Sequence, residues 1–232
     1  MKLLQVTIIV CVVLFFGSRA GALSPIGPAT SEAKKGDFSL GLEFFQGEID
    51  VTGTVFGVKT SGENKPLGGF VRPGYSLADG SEFFGRFGIG RLDEHGSNEM
   101  AWGFGAKTTL ASKGDLSCGI LGQMDWAYEK DDDLSMPYYA EWDMEMRTAL
   151  IAFGVTLQKE SLAVYGGPFV RFIDWDLDWH VNGIRVPSEM ENESEVGGYI
   201  GISLGTEAAC LNVECQKTRS SWLMATGVTL RF

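Results

Sequence analysis

The sequence predicts an all-β chain: a transmembrane, antiparallel, up-and-down β-barrel of about ten strands, with eight or twelve as the other even counts. Three observations lead there. The last eleven residues alternate to the final position, with Trp222, Met224, Val228, Leu230 and Phe232 on one face and Ala225, Gly227, Thr229 and Arg231 on the other. A basic start, Met1-Lys2, precedes an apolar run from Leu3 to Phe16 and the small residues Ala20-Gly21-Ala22. Between these ends, alternating segments are joined by connections that are short and long by turns.

The beginning has the layout of a secretory signal peptide, residues 1–22, cleaved after Ala22. Its apolar core is too short for a membrane anchor. Val10 before Cys11 argues against a lipoprotein signal. Cleavage leaves a mature chain of 210 of the 232 residues, enough for one domain. No later stretch reaches the roughly 18 consecutive apolar residues of a membrane helix, so a membrane could be entered only by a closed barrel, which satisfies its own backbone in lipid. The formal charge is −11, and −13 once Lys2 and Arg19 leave with the leader, which argues against nucleic acid as a partner. No cofactor is expected. Glycine, 31 residues of 232, is about twice the usual ~7% and leaves room for large neighbours in a narrow lumen. Cys118, Cys210 and Cys215 are odd in number, and the last two fall on opposite faces, so they read as small apolar filler.

Residues 23–36 hold two prolines and two lysines with no periodicity and are expected as a flexible periplasmic leader; the barrel domain is 37–232. The first strand carries Phe38, Leu40, Leu42 and Phe44. A loop over about 50–66 follows, in which Val55 to Lys59 extends the hairpin above the membrane. The second strand has Leu67, Val71, Tyr75 and Leu77, the third Phe83, Phe87 and Ile89, joined by the short turn at 78–81. The fourth (Trp102, Phe104, Ala106, Leu110) and fifth (Leu116, Cys118, Ile120, Met124, Trp126, Tyr128) meet at Ser112 to Asp115. The sixth ends in Ala149, Ile151, Phe153, Val155 and Leu157. Its upper half, Trp142 to Met146, is out of phase and suggests a bulge. The seventh carries Leu162, Val164, Val170 and Phe172 and runs on through Asp174, Asp176 and Asp178. The eighth has Val196, Ile200, Ile202 and Leu204, the ninth Leu211 and Val213, and the tenth closes the barrel. Pro73 and Pro168 fall mid-strand, where each removes a ladder bond and demands irregular pairing.

With Phe232 at the periplasm, connections after even strands should be short and those after odd strands long, and all but the one near Arg219 comply. Tyr75, Phe83 and Phe232 at one rim, with Trp102, Trp126, Tyr128, Trp142 and Trp222 at the other, make a membrane girdle. The opposite face carries Glu43, Arg72, Arg86, Lys107, Asp125, Arg171, Glu214 and Arg231. These residues line the lumen if the apolar face is outward, and at ten strands they should fill it with carboxylate–guanidinium pairs. A soluble lipocalin-like barrel alternates equally, with the apolar face inward.

The hairpin Tyr75–Gly90 and the block Val196–Phe232 resemble the strands of small, opacity-like bacterial outer-membrane β-barrels, a resemblance that spans about residues 37–232. It implies an outer-membrane location in a Gram-negative-type bacterium and contact with outer-membrane lipids and lipopolysaccharide. It also implies recognition by the barrel assembly machinery through the strand ending at Phe232. The expected role is structural or surface-binding without enzymatic activity, with a porin-like narrow ion-permeable pore and a surface adhesin as alternatives. Asp178-Trp179-His180, with His95 in another loop, is similar to the Asp-x-His pair of the omptin outer-membrane proteases, which keeps a rim hydrolase open. No catalytic residue is assigned. Asp174, Asp176 and Asp178 are candidates for loose metal binding; an EF-hand is excluded because Trp179 and Arg185 stand where its Gly and Glu belong. The bland alternative is a solvated acidic loop, and Asp131 to Asp133 read the same way. Asn192-Glu193-Ser194 matches a glycosylation acceptor, discounted in a bacterial envelope.

Overall fold

The structure is a computed structural model that describes residues 25–55, 58–91, 99–133, 140–181, 184–186, 188–190, 193–206 and 208–232. The leader at 1–22, His95 and Asn192 lie outside the described residues. The strands are β1 (Phe38–Val55), β2 (Val58–Asn64), β3 (Leu67–Ala78), β4 (Ser81–Arg91), β5 (Glu99–Lys113), β6 (Leu116–Asp133), β7 (Ala140–Lys159), β8 (Leu162–Val181), β9 (Ile184–Val186), β10 (Ser188–Met190), β11 (Glu193–Thr206), β12 (Ala209–Lys217) and β13 (Ser221–Arg231).

Ten of them close a barrel in the order β1, β3, β4, β5, β6, β7, β8, β11, β12, β13, each antiparallel to its neighbours. The seam joins β13 to β1, from Ser39 opposite Arg231 to Ile49 opposite Ser221. At the periplasmic end, two-residue connections at 79–80, 114–115, 160–161 and 207–208 join successive strands. Gly80 and Gly114 take the left-handed conformation these tight turns need (φ 73° and 58°), and Glu160 adopts it without being glycine (φ 54°). Among the described residues no helix is long and apolar enough to cross a membrane; the crossing is made by strands.

At the other end, β2 pairs with the upper half of β1 and β3 with its lower half, so the chain after Val55 descends beside β1 in one line broken only at Lys65-Pro66. The β12–β13 connection is tight, as the sequence indicated near Arg219. Above it the wall is continued by β9, paired to β8, and β10, paired to β1.

The outward face of the lower barrel is apolar. Leu42, Phe87, Phe104, Ile151, Ile200 and Val213 are all exposed there, as they must be where the surrounding solvent is lipid. The opposite parity is buried, and it carries the charged side chains Arg72, Arg86, Lys107 and Glu214 among Phe84, Leu121, Leu150 and Phe169. This arrangement excludes the lipocalin-like alternative, in which the apolar face would be inside.

Above the band the polarity inverts without any break in register. On β7 the outward residues change from Ile151 and Ala149 to Arg147, Glu145 and Asp143. On the adjacent β8 they change from Phe172 to Asp174, Asp176 and Asp178. The inward residues stay buried, and above Leu150 and Arg171 they are Met146, Met144, Ile173 and Trp175, which join Phe45, Ile49, Phe70 and Leu223 in an apolar core. The expected bulge at Trp142 to Met146 is therefore absent. Strands β6 and β7 pair in one unbroken register from Leu116–Leu157 to Asp133–Ala140. The phase looked wrong because the environment outside changes from lipid to water, so the apolar residues turn inward. The side chain of Trp142, placed in the girdle from sequence, lies outside the described residues. The ladder does lapse at both prolines, between Val71 and Gly74 on the β4 side of β3 and between Ala152 and Val155 on the β8 side of β7.

Ile200 is exposed near the middle of the band, whereas Leu204 lies two residues from the periplasmic turn. Ile200→Arg is expected to destabilise the embedded barrel by about 2–4 kcal/mol and Leu204→Arg by only about 0–1 kcal/mol. Urea titrations of the two variants in vesicles check this; equal costs would mean that the band is misplaced.

Candidate functional site

The lumen is filled at successive levels. All eight residues assigned to it from sequence lie on the inward parity. At mid-height Arg86, fully buried, donates through Nε and Nη2 to Glu43 Oε2 (3.0 and 2.7 Å) and through Nη1 to Asp125 Oδ1 (3.2 Å). Its guanidinium lies 4.3 Å from the centre of the Phe70 ring, so it bridges the ionic layer and the apolar core above. Toward the periplasm Arg72 pairs with Glu82 (3.1 Å) and lies over the Phe84 ring (3.9 Å), and Lys107 approaches the same carboxylate (3.5 Å). On the other side Arg171 holds Glu195 and donates to Ser221 Oγ (2.5 Å), while Thr218 Oγ1 donates to Glu195 (2.9 Å). Arg72, Arg86, Lys107 and Arg171 are thus each in contact with a carboxylate, Glu43, Glu82, Asp125 or Glu195, as charges withdrawn from bulk water require.

Glycines make the room. A Cβ on Gly105 would meet the Phe84 ring at 2.5 Å, one on Gly197 the Phe169 ring at 2.5 Å, and one on Gly68 the Phe45 ring at 2.7 Å; Gly201 faces the Tyr165 ring in the same way. Large aromatics on one strand thus fill the space vacated by glycine on the next.

The sequence reading leaves Glu82, Glu195 and Tyr165 out of the lumen set and places Tyr199 on the face opposite Ile200 without assigning it a role there. Each has the inward parity of a lumen residue already identified, Arg86 for Glu82 and Arg171 for Tyr165. Glu82 falls between the turn at 78–81 and Phe83, and Glu195 falls at the margin of the long loop, so neither stands out on a strand face in the sequence.

Residues 25–36, expected as a flexible leader, instead run up inside the barrel mouth. Ile26, Ala29, Thr30, Ser31 and Ala33 are buried. The amides of Ile26 and Gly27 both donate to the Glu214 carboxylate (2.9 and 2.8 Å). Thr30 and Thr156 share a hydroxyl hydrogen bond (2.8 Å). Ser31 exchanges two bonds with Thr109 Oγ1, and Gly80 N–H donates to Ala33 O (2.9 Å). A cavity of about 200 Å³ remains beside this segment, lined by Arg72, Glu82, Lys107, Thr156, Asn212 and Arg231.

On the outer wall, Asp174, Asp176 and Asp178 stand at alternate positions of β8 on its outward face. Across from them on β7 are Arg147, Glu145 and Asp143 in turn. Arg147 reaches Asp174 (3.7 Å) and donates to Glu145 (2.9 Å), and this bond holds the Glu145 carboxyl below the usual carboxylate range. Arg185 takes Asp178 (2.8 Å). Among the described residues no three His, Cys, Asp or Glu side chains are grouped closely enough to hold a metal ion. Of the girdle residues, Trp102 and Trp126 stack at 4.2 Å, Tyr128, Tyr75 and Phe83 are exposed, Trp222 is half-buried, and Phe232 lies at the periplasmic end of the seam.

No family model matches the chain, and a comparison with curated proteins finds no match. Solved structures do match. The translocator domain of the autotransporter NalP from Neisseria meningitidis superposes with a TM-score of 0.53 at 12% identity, over 87% of this chain and 90% of that one. The outer membrane protease OmpT from Escherichia coli superposes with a TM-score of 0.58 at 7% identity, over 91% of this chain and 99% of that one. Such identities speak for the fold alone. Together with the lipid-facing band, that fold defines a transmembrane β-barrel of the kind these two outer-membrane proteins have. Within that class the chain is a ten-stranded barrel with a filled lumen and an acidic wall above the membrane.

Proposed function

We propose that this barrel is sealed and non-enzymatic, and that it serves a structural or surface-binding role through the wall of β6, β7 and β8 above the membrane. The observation that carries this reading is the filled cross-section. Among the described residues, Arg86 with its two carboxylates and the apolar core of Phe45, Phe70, Met146, Trp175 and Leu223 lie in succession along the axis, which supports a closed column. Contacts with lipopolysaccharide and recognition of the Phe232 strand by the assembly machinery belong to the same reading. In planar bilayers the refolded protein should show no steady conductance above the bare membrane. Sustained single-channel steps would replace this reading with that of the narrow pore.

The rim-hydrolase reading has one point in favour, since a protease is among the structural neighbours. Asp178 and His180 do share one face of β8, but Asp178 is engaged by Arg185 at 2.8 Å. A histidine base depends on a carboxylate free to orient it. Vesicle-embedded protein should leave basic peptides intact, and His180→Ala should behave like the parent. Cleavage that disappears in His180→Ala would establish the hydrolase.

A further inference from the structure

The charged groups at the periplasmic mouth do not balance where they meet. Glu82, buried just past the turn at 79–80, is shared by two cations, Arg72 at 3.1 Å and Lys107 at 3.5 Å, and it also accepts the Ser39 hydroxyl (3.0 Å). Lys107 stands opposite it on β5. A third cation, Arg231, comes in from the closing strand, where it is paired with Ser39 and its amide donates to Ala208 O (2.9 Å). Arg231 is within electrostatic reach of both Glu82 and Lys107. Its buried Nε finds no acceptor among the described residues, a costly state for a guanidinium N–H. Glu43, the next carboxylate inward, lies 3.6 Å from Arg72 but gives its shorter contacts, 3.0 and 2.7 Å, to Arg86. Arg72, Lys107 and Arg231 therefore share Glu82 and what Arg86 leaves of Glu43.

All three cations line the cavity of about 200 Å³ beside the N-terminal segment. One water needs ~10–15 Å³ by such a measure, so a small polyatomic ion has room. The neutral lining also suits a guest rich in acceptors. Thr229 carries a hydroxyl, and Thr30 and Thr156, which share one hydrogen bond, keep a second hydroxyl hydrogen to donate. Glu32 and Glu160 also line the cavity, but both are exposed, where water and salt screen them. Arg72 and Lys107 are buried, where an unbalanced charge is felt most. We propose that this cavity is a binding site for a small oxyanion of the phosphate or sulfate class, which enters from the periplasmic mouth and is held between Arg231, Lys107 and Arg72. Arg231 supplies the planar fork that grips two oxygens at once, Lys107 a compact point charge, and the threonine hydroxyls further donors. Ile26, Gly27, Pro28 and Thr30 form the other side of the cavity, so a bound anion also ties the N-terminal segment to the wall. The site lies at the opposite end of the barrel from the acidic wall and on the periplasmic side of Arg86. It is independent of what that wall binds and of whether the lumen is sealed.

The test uses the protein refolded in detergent without phospholipid, so that no lipid headgroup can supply the phosphate. Binding of radiolabelled inorganic phosphate is measured by equilibrium dialysis at an ionic strength held constant with sodium chloride. The expected result is saturable binding of about one phosphate per chain, displaced by sulfate. Arg231→Gln should weaken it at least about tenfold, the effect of losing one hydrogen-bonded charge. Folding of the variant is scored by heat-modifiable migration on a gel, and it should match the parent, because the Arg231 Nε has no acceptor to lose. If Arg231→Gln does not fold, Thr229→Glu, which sets a carboxylate in the cavity, is read in its place with the same loss expected. Absence of saturable binding at millimolar phosphate would overturn the proposal. Binding that the folded variant leaves unchanged would overturn it as well, by showing that the ion sits elsewhere on the barrel.

Discussion

Arg86→Leu should destabilise the embedded barrel by about 3–5 kcal/mol, the usual result of breaking a buried ion pair from one side. The side chain is 0% exposed and serves two carboxylates at once, Glu43 at 2.7 Å and Asp125 at 3.2 Å. Without it two negative charges share a pocket between an apolar core and the lipid-facing wall, and Arg72, 3.6 Å from Glu43, is left to offset them in place of two close contacts. They must take up protons, draw in water or force the strands apart. Replacing Glu43, Arg86 and Asp125 together by leucine should cost far less, because well-packed apolar residues often substitute for a buried ionic cluster at no net loss. Urea unfolding in vesicles, followed by tryptophan fluorescence, compares the two variants directly. A single substitution costing under about 1 kcal/mol would mean that water already hydrates this layer, and the sealed reading of the lumen would fall with it.

Period two is the reason so much of the barrel was legible. Once Phe83 and Phe87 are outward, Arg86 has to be inward, and the same logic places Glu43, Asp125 and Glu214 without any knowledge of pairing. Alternation does not reveal where the outside solvent changes. At Arg147 and Asp174 the exterior passes from lipid to water, and the apolar parity moves inward while the backbone keeps its register. A reader holding one sense of alternation for the whole strand has to invent a bulge at Trp142 to Met146. The segment from Pro25 to Gly36 was illegible for a different reason. It bonds to the inner wall through scattered amides and hydroxyls, such as Ile26 to Glu214 and Thr30 to Thr156, and such a partnership leaves no periodicity to detect. Strands β9 and β10 are three residues each. They exist because β12 and β13 stop early and leave a gap in the wall, a fact of tertiary structure that their own residues do not encode.

Deleting Phe232 should separate stability from assembly. Its backbone exchanges two hydrogen bonds with Phe38 across the closing seam, Phe232 N–H to Phe38 O at 2.8 Å and Phe38 N–H to Phe232 O at 3.1 Å. Its ring lies 6.4 Å from that of Phe38 and is 72% exposed at the periplasmic rim. Eleven register pairs between β1 and β13 remain when it is gone. Two terminal hydrogen bonds at a net ~1 kcal/mol each, partly regained from interfacial water, set the loss at no more than about 2 kcal/mol. The truncated chain should therefore refold in detergent with nearly the parent's heat-modifiability. In cells the expected effect is much larger. By its resemblance to the closing strands of outer-membrane barrels, the terminal aromatic is what the assembly machinery reads, so the chain should reach the periplasm and accumulate there as protease-sensitive material. The measurement is the outer-membrane yield of the deletion against the parent at equal expression, alongside the refolding yield in detergent. Loss in both would make Phe232 a stability residue, and loss in neither would remove it from the assembly signal. Loss of the cellular yield alone is the result expected.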